Sequence, residues 1–167
     1  MKIRDMTRSG VFAAALAVCA WLSIPLGDQA VSLQSFGIFL ALELLGGRGG
    51  TLAVLVYLLL GAAGVPVFSG FRGGFSVLLG PTGGYLWGFL FACCLYWILE
   101  KRVQSWLNMV LAMLLIYLCG TAWYAFAYAP GAIWPLVMTC VVPYLLPDGL
   151  KLLLALSVTR KLKGFLR

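Results

Sequence analysis

Long apolar runs, separated by short polar or glycine-rich breaks, make up almost the whole chain. The runs cover residues 9–26, 34–45, 51–64, 82–99 and 106–127, and a last run leads from Pro147 to basic residues at 160–163. Segments of this length with so few charges are typical of transmembrane helices. The pattern therefore predicts an all-α integral membrane protein, a bundle of six transmembrane helices.

Composition supports the same class. The chain is 63% hydrophobic and 10% charged, with a mean hydropathy of +1.02, whereas soluble domains carry about 25% charged residues. We expect residues 1–167 to form a single transmembrane domain in a lipid bilayer. The net charge of +7 does not indicate nucleic-acid binding, because the basic residues lie in short clusters at the ends of apolar runs.

The first two runs leave several alternatives open. Residues 1–8 are basic and precede an apolar run, but residues 24–28 lack a small-x-small cleavage site, which favours a retained first helix. Small residues four apart in that helix, at Gly10, Ala13, Ala14 and Ala17, suit close helix packing or only reflect the abundance of alanine. Residues 28–33 are read as a polar loop.

The second run is too short to cross the hydrocarbon upright, which predicts a tilted, half-buried or broken helix. Glu43, near its inner end, is expected to pair with Arg48. At the other end, the amide of Gln34 could bind a ligand or cap the helix.

A glycine-rich lid or re-entrant loop is predicted between helices 3 and 4. Residues 65–75 and 80–85 are too apolar for a solvated linker and too long for a turn. Gly83 and Gly84 could let backbone N–H groups or Tyr85 approach a ligand, or could form a packing joint. Residues 130–147, with several prolines, are read as an irregular apolar connection.

An acid and a base stand three residues apart at the start of the last run. Asp148 and Lys151 would project from one helix face if Pro147 begins the helix. Charges at membrane depth usually mark a functional site, although a pair that only joins two helices is the alternative. In a membrane enzyme, Asp148 would be the acid or base and Lys151 the nucleophile, but the sequence offers no orienting partners for them. The sequence contains no histidine and no C-x-x-C motif, so nothing in it indicates a metal site.

Charge asymmetry predicts the topology. With the N-terminus inside, both termini are cytoplasmic and ten of the twelve basic residues lie inside. These ten are Lys2, Arg4, Arg8, Arg48, Lys101, Arg102, Arg160, Lys161, Lys163 and Arg167. Arg72 then lies outside, and the candidate site faces outward.

The chain resembles the BioY family, the biotin-binding S components of energy-coupling factor (ECF) transporters. The resemblance rests on Ser-Leu-Gln-Ser-Phe-Gly at residues 32–37, Gly-Val-Pro-Val-Phe at 64–68, Gly-Pro-Thr-Gly-Gly-Tyr at 80–85, and Pro-Asp-Gly-Leu-Lys at 147–151. It implies a solute-binding membrane subunit, not an enzyme, for biotin or another small vitamin. It also implies a prokaryotic plasma membrane, a transmembrane coupling subunit, two cytoplasmic ATPase subunits and no cofactor.

The resemblance also implies site residues. Ala13 and Ala17 match the family's first-helix face toward the coupling subunit. Asp148 would accept hydrogen bonds from the ureido N–H groups of biotin while Lys151 donates to its carbonyl. Family members often carry a basic residue at the position of Leu86, so Arg72 is expected to bind the carboxylate instead. The expected substrate-binding residues are Gln34, Phe36, Arg72, Gly74, Thr82, Gly84, Tyr85, Asp148 and Lys151.

Overall fold

The computed structural model describes residues 3–26, 29–128 and 133–165. Its helices are α1 (Ile3–Trp21), α2 (Gln34–Ala62), α3 (Phe75–Leu79), α4 (Gly83–Leu99), α5 (Ser105–Ala127), α6 (Ile133–Cys140) and α7 (Val142–Phe165). Two short strands, β1 (Ser23–Leu26) and β2 (Gln29–Ser32), pair antiparallel between α1 and α2. The predicted polar loop at 28–33 is therefore partly a β-hairpin, with Gly27 and Asp28 outside the described residues.

Helix α2 is a helical hairpin. Gly46 lies inside it with φ +74° and ψ 171°, a conformation that favours glycine. A Cβ built on Gly50 would lie only 2.9 Å from Cα of Leu42, and Gln34 hydrogen-bonds Tyr57 across the hairpin. The two arms, residues 34–45 and 47–62, correspond to the second and third predicted spans, and the first arm is both short and largely buried.

The bundle contains six membrane helices: α1, the two arms of α2, α4, α5 and α7. Among the described residues, three apolar helical stretches have the length needed to cross a membrane: Ser105–Ala127, Gln34–Ala62, which Gly46 divides into the two arms of α2, and Pro135–Leu162, which joins most of α6 to α7. Gly83–Leu99 is a shorter apolar helix. The predictions for the fourth and fifth spans agree with α4 and α5 to within one residue at each end.

Three predicted boundaries are wrong. The first span was predicted over residues 9–26, but α1 ends at Trp21 and Ser23–Leu26 is the strand β1. Residues 130–147 are not an irregular connection where they are described, because α6 and the start of α7 occupy 133–140 and 142–147; residues 129–132 lie outside the described ranges. Helix α7 begins at Val142 and contains Pro147. As the sixth residue of α7, Pro147 lacks the N–H that would donate to Pro143 O, so the helix loses one hydrogen bond there.

Ala13 and Ala17 face the interior of the bundle. Their exposed fractions are 2% and 5%, and they belong to the core that also contains Leu16 of α1 and Ile38 and Leu42 of α2. A partner subunit could not contact side chains at this depth without opening the bundle. The prediction that these two alanines form the partner interface is therefore wrong, whereas Gly10 and Ala14 lie on the exposed face of α1.

A buried polar cluster lies near the hairpin turn. The prediction that Glu43 pairs with Arg48 is wrong, because no ion pair joins them in the described part of the chain and Arg48 is exposed. Glu43 Oε1 instead accepts hydrogen bonds from Tyr96 and Ser105, the first at 2.9 Å. This cluster ties α2 to α4 and α5 away from the cavity described below.

Residues 63–74, the lid, connect α2 to α3 and fold back onto the bundle. Phe68 is 2% exposed, and its ring lies edge-on to Tyr57 at 5.5 Å between ring centroids. The backbone N–H of Phe68 donates to the carbonyl of Arg72 at 2.9 Å. Trp21, at the end of α1, donates to Pro66 O at 2.8 Å and stacks on Phe71. The lid is therefore a packed structure, as the glycine-rich sequence predicted.

Candidate functional site

A cavity opens at the end of the bundle where the lid lies. A volume of about 140 Å³ is accessible to the centre of a water molecule. Its wall is formed by the lid, the end of strand β2, the starts of α2 and α4, the middle of α5 and the α6–α7 junction. Apolar side chains form a large part of that wall: Phe68, Val77, Leu86, Phe89, Met113 and Ile116. One part of the cavity thus suits an apolar ring system.

Asp148 and Lys151 form an ion pair at this cavity. Lys151 Nζ lies 2.7 Å from Asp148 Oδ1, and the two side chains are 8% and 14% exposed, respectively. Lys151 Nζ also donates to the Ser32 carbonyl at 2.6 Å and reaches Ser35 Oγ at 3.5 Å. The last distance is at the limit of a hydrogen bond, so the third N–H of the ammonium group remains the most available to another acceptor.

The carboxylate of Asp148 is held by donors from three elements. Ser35 Oγ donates to Oδ1 at 3.0 Å, and Tyr117 OH donates to Oδ2 at 2.6 Å. Together with Lys151, these donors occupy three of the roughly four acceptor positions of a carboxylate. A single position, on Oδ2, remains for an N–H group in the cavity.

Arg72 brings a second positive charge to the wall. Its Nε donates to Ser69 O within the lid at 3.2 Å, and its terminal guanidinium nitrogens make no hydrogen bond or ion pair among the described residues. Arg72 is exposed, while Lys151 is compensated by Asp148. The net charge of the charged side chains that line the cavity, Arg72, Asp148 and Lys151, is therefore +1.

The structure brings six of the nine sequence-predicted residues to the cavity wall: Gln34, Arg72, Thr82, Tyr85, Asp148 and Lys151. Phe36 is not among the lining residues and packs against the core. Gly84 packs against α5, where a Cβ would lie 2.2 Å from Cβ of Trp123. Gly74 precedes α3, and its N–H donates to Gly61 O at 2.7 Å. The last three residues serve packing and chain direction in this fold.

The profile of the BioY family matches residues 1–167. The chain belongs to the BioY family. A biotin transporter BioY from Thermotoga maritima is 38% identical over 165 residues, covering 96% of each chain. A probable biotin transporter BioY from Pyrococcus horikoshii is 35% identical over 164 residues, covering 98% of this chain and 99% of that protein.

The fold of this BioY chain is also similar to a solved structure. The crystal structure of an S-component for biotin from an ECF-type ABC transporter superposes with a TM-score of 0.83 at 28% sequence identity. The similarity covers 97% of this chain and 92% of that one. The six-helix arrangement of this chain is thus similar to that of the S-component for biotin.

Sequence reasoning missed the groups that hold the ion pair in this BioY chain. Tyr117, Ser35 and the carbonyl of Ser32 bind Asp148 or Lys151 directly. Ser32 and Ser35 lie inside the motif at residues 32–37, close to the predicted site residue Gln34, and this position could have indicated that they belong to the site. Tyr117 is one aromatic residue in a long apolar helix, and nothing in the local sequence distinguishes it.

Proposed function

We propose that this chain is the substrate-binding S component of an ECF-type transporter and binds biotin in the cavity below the lid. Biotin presents two ureido N–H donors, a carbonyl acceptor, an apolar bicycle and a carboxylate. The observation that carries the proposal is the ion pair of Asp148 and Lys151, which offers one acceptor position and one weakly used N–H side by side. A ureido group needs an acceptor and a donor in this arrangement.

Charge balance indicates where the carboxylate at the other end of biotin binds. The lining side chains sum to +1 because Arg72 has no carboxylate partner among the described residues, and biotin carries one negative charge. We assign the carboxylate to Arg72. Because Arg72 is exposed, the pair should contribute about 0.2–1 kcal/mol, like other solvent-exposed ion pairs.

A comparison of biotin with its neutral methyl ester tests the assignment of Arg72. Arg72→Met should weaken biotin binding by about 1.4-fold to fivefold and leave binding of the ester unchanged. Arg48→Met removes an exposed arginine at the hairpin turn and serves as the matched control. An equal loss for biotin and ester would show that Arg72 acts on the lid and not on the carboxylate.

Partners and orientation belong to the same proposal. We expect a transmembrane coupling subunit and two cytoplasmic ATPase subunits, a prokaryotic plasma membrane, and both termini in the cytoplasm. The basic residues predict that Lys101 faces the cytoplasm and Arg72 the outside. Single cysteines at these positions, on a cysteine-free background, should react with an impermeant reagent from inside and outside, respectively. Labelling of position 72 only from the cytoplasm would contradict this orientation.

Uptake measurements test the transport function. Cells that lack other biotin transporters and express this chain with the coupling subunit and ATPases should accumulate labelled biotin. Excess unlabelled biotin should abolish the signal, whereas thiamine and riboflavin should not compete. Accumulation of another vitamin in place of biotin would contradict the assigned substrate and favour an S component for that vitamin.

A further inference from the structure

A chain of two hydrogen bonds links the cavity wall to the lid through Tyr57. Gln34 Nε2 donates to Tyr57 OH at 2.9 Å, and Tyr57 OH donates to the carbonyl of Val67 at 3.1 Å. Gln34 is 4% exposed and Tyr57 is 1% exposed. Gln34 lies at the start of α2, Tyr57 in its second arm and Val67 in the lid.

The chemistry of these groups fixes the direction of both bonds. A backbone carbonyl only accepts, so the single proton of the Tyr57 hydroxyl must point to Val67 O. The hydroxyl can then only accept from Gln34, and the amide atom that faces it must be the nitrogen. The reversed amide would place Gln34 Oε1 against an oxygen lone pair. The hydrogen-bond network therefore fixes which end of the Gln34 amide is nitrogen and which is oxygen.

The fixed amide leaves an acceptor for the cavity. Gln34 lines the cavity, and its Oε1 receives no hydrogen bond from any residue that the structure describes. Asp148 has a single acceptor position left, whereas a cyclic urea has two N–H donors. An unpaired N–H in a buried site is strongly unfavourable, so a second acceptor is needed nearby. Gln34 directly precedes Ser35, which already bonds Asp148.

We propose that Tyr57 is a positioning residue that turns Gln34 Oε1 toward the cavity, where it accepts the second N–H of the ligand's urea group. This inference rests on the proposed binding of biotin. Val67 precedes Phe68, whose ring packs edge-on against Tyr57. The lid thus supplies the acceptor that orients the hydroxyl, and the amide of Gln34 is set for the ligand when the lid is packed on the bundle.

Equilibrium binding of labelled biotin to purified single and double variants tests the proposal. Tyr57→Phe keeps the ring and removes the hydroxyl, and Gln34→Met keeps the length and removes the acceptor. Each should weaken binding by about fivefold, the value of one ordinary hydrogen bond. If Tyr57 acts through Gln34, the double variant should bind as weakly as Gln34→Met alone.

Either of two results with the variants that carry Gln34→Met would overturn the proposal. Wild-type affinity in Gln34→Met would remove the acceptor role, and this variant does not depend on the folding of Tyr57→Phe. A double variant whose loss equals the product of the two single losses would show that Tyr57 acts independently of Gln34. Tyr96→Phe is the matched control, since it removes another buried hydroxyl in the cluster with Glu43 and should leave affinity unchanged.

The same measurements separate this inference from the proposed function. If the wild-type protein binds no biotin, the proposed function fails. If the wild-type protein binds biotin and Tyr57→Phe binds it equally well, only the role of Tyr57 fails.

Discussion

Replacement of Asp148 by asparagine tests the centre of the site with little change in volume. In the native protein, Oδ1 accepts from Lys151 and Ser35, and Oδ2 accepts from Tyr117. An asparagine that keeps its oxygen toward Lys151 places its amide nitrogen where Oδ2 lies. The nitrogen then faces both the Tyr117 hydroxyl and the ligand N–H with hydrogens, so the remaining acceptor position is lost.

The size of the effect follows from that exchange. A hydrogen bond to a charged group contributes about 1.5–3 kcal/mol, and one between neutral groups contributes about 0.5–1.5 kcal/mol. The midpoints of the two ranges differ by about 1.25 kcal/mol, which corresponds to about eightfold in affinity. Because two donors would also face each other, we expect Asp148→Asn to lose at least roughly tenfold in biotin affinity.

The assay must separate binding from folding. Removing one member of a buried ion pair can cost about 3–5 kcal/mol of stability, so affinity should be measured on monodisperse protein whose helical circular dichroism matches the wild type. Glu43→Gln is the matched control, because it neutralises another buried carboxylate, one that does not line the cavity. It should change stability and leave affinity intact. Wild-type affinity in a folded Asp148→Asn protein would refute a ligand-binding role and return the pair to a structural one.

Two further predictions concern the surroundings of the site and the bundle. Tyr117→Phe should weaken biotin binding by about threefold to fivefold, because Asp148 Oδ2 loses a hydrogen bond that holds it in place; unchanged affinity in a calorimetric titration would contradict this. Ala13→Trp should lower the melting temperature in detergent and reduce biotin binding in parallel, because overpacking a core costs about 1–3 kcal/mol or more. Ala14→Trp, on the exposed face of α1, should melt like the wild type, and equal melting of both variants would place Ala13 outside the core.

Features set by local sequence were predictable here. The bounds of α4 and α5 follow from the lengths of apolar runs between polar breaks, because a helix that crosses lipid needs an uninterrupted apolar segment. The spacing of Asp148 and Lys151 placed both on one helix face, and the ion pair is present. The glycine-rich lid could be predicted because its composition suits neither a helix nor a solvated linker.

Features set by tertiary packing could not be predicted. Both faces of a membrane helix are apolar, so the pattern of α1 did not show that Ala13 and Ala17 point inward and Ala14 outward. Tyr117 reaches Asp148 from a helix 31 residues away in sequence, and only the packing of α5 against the bundle shows this contact. The start of α7 was misplaced because Pro147 resembles a first helical residue and is also tolerated one turn later.

Equilibrium binding of labelled biotin to the purified chain, without coupling or ATPase subunits, tests whether this chain itself holds the substrate. We expect saturable binding of a single biotin per chain that unlabelled biotin displaces and that Asp148→Asn weakens by at least roughly tenfold. Absence of saturable binding by well-folded wild-type protein would contradict the claim that this chain itself holds the substrate.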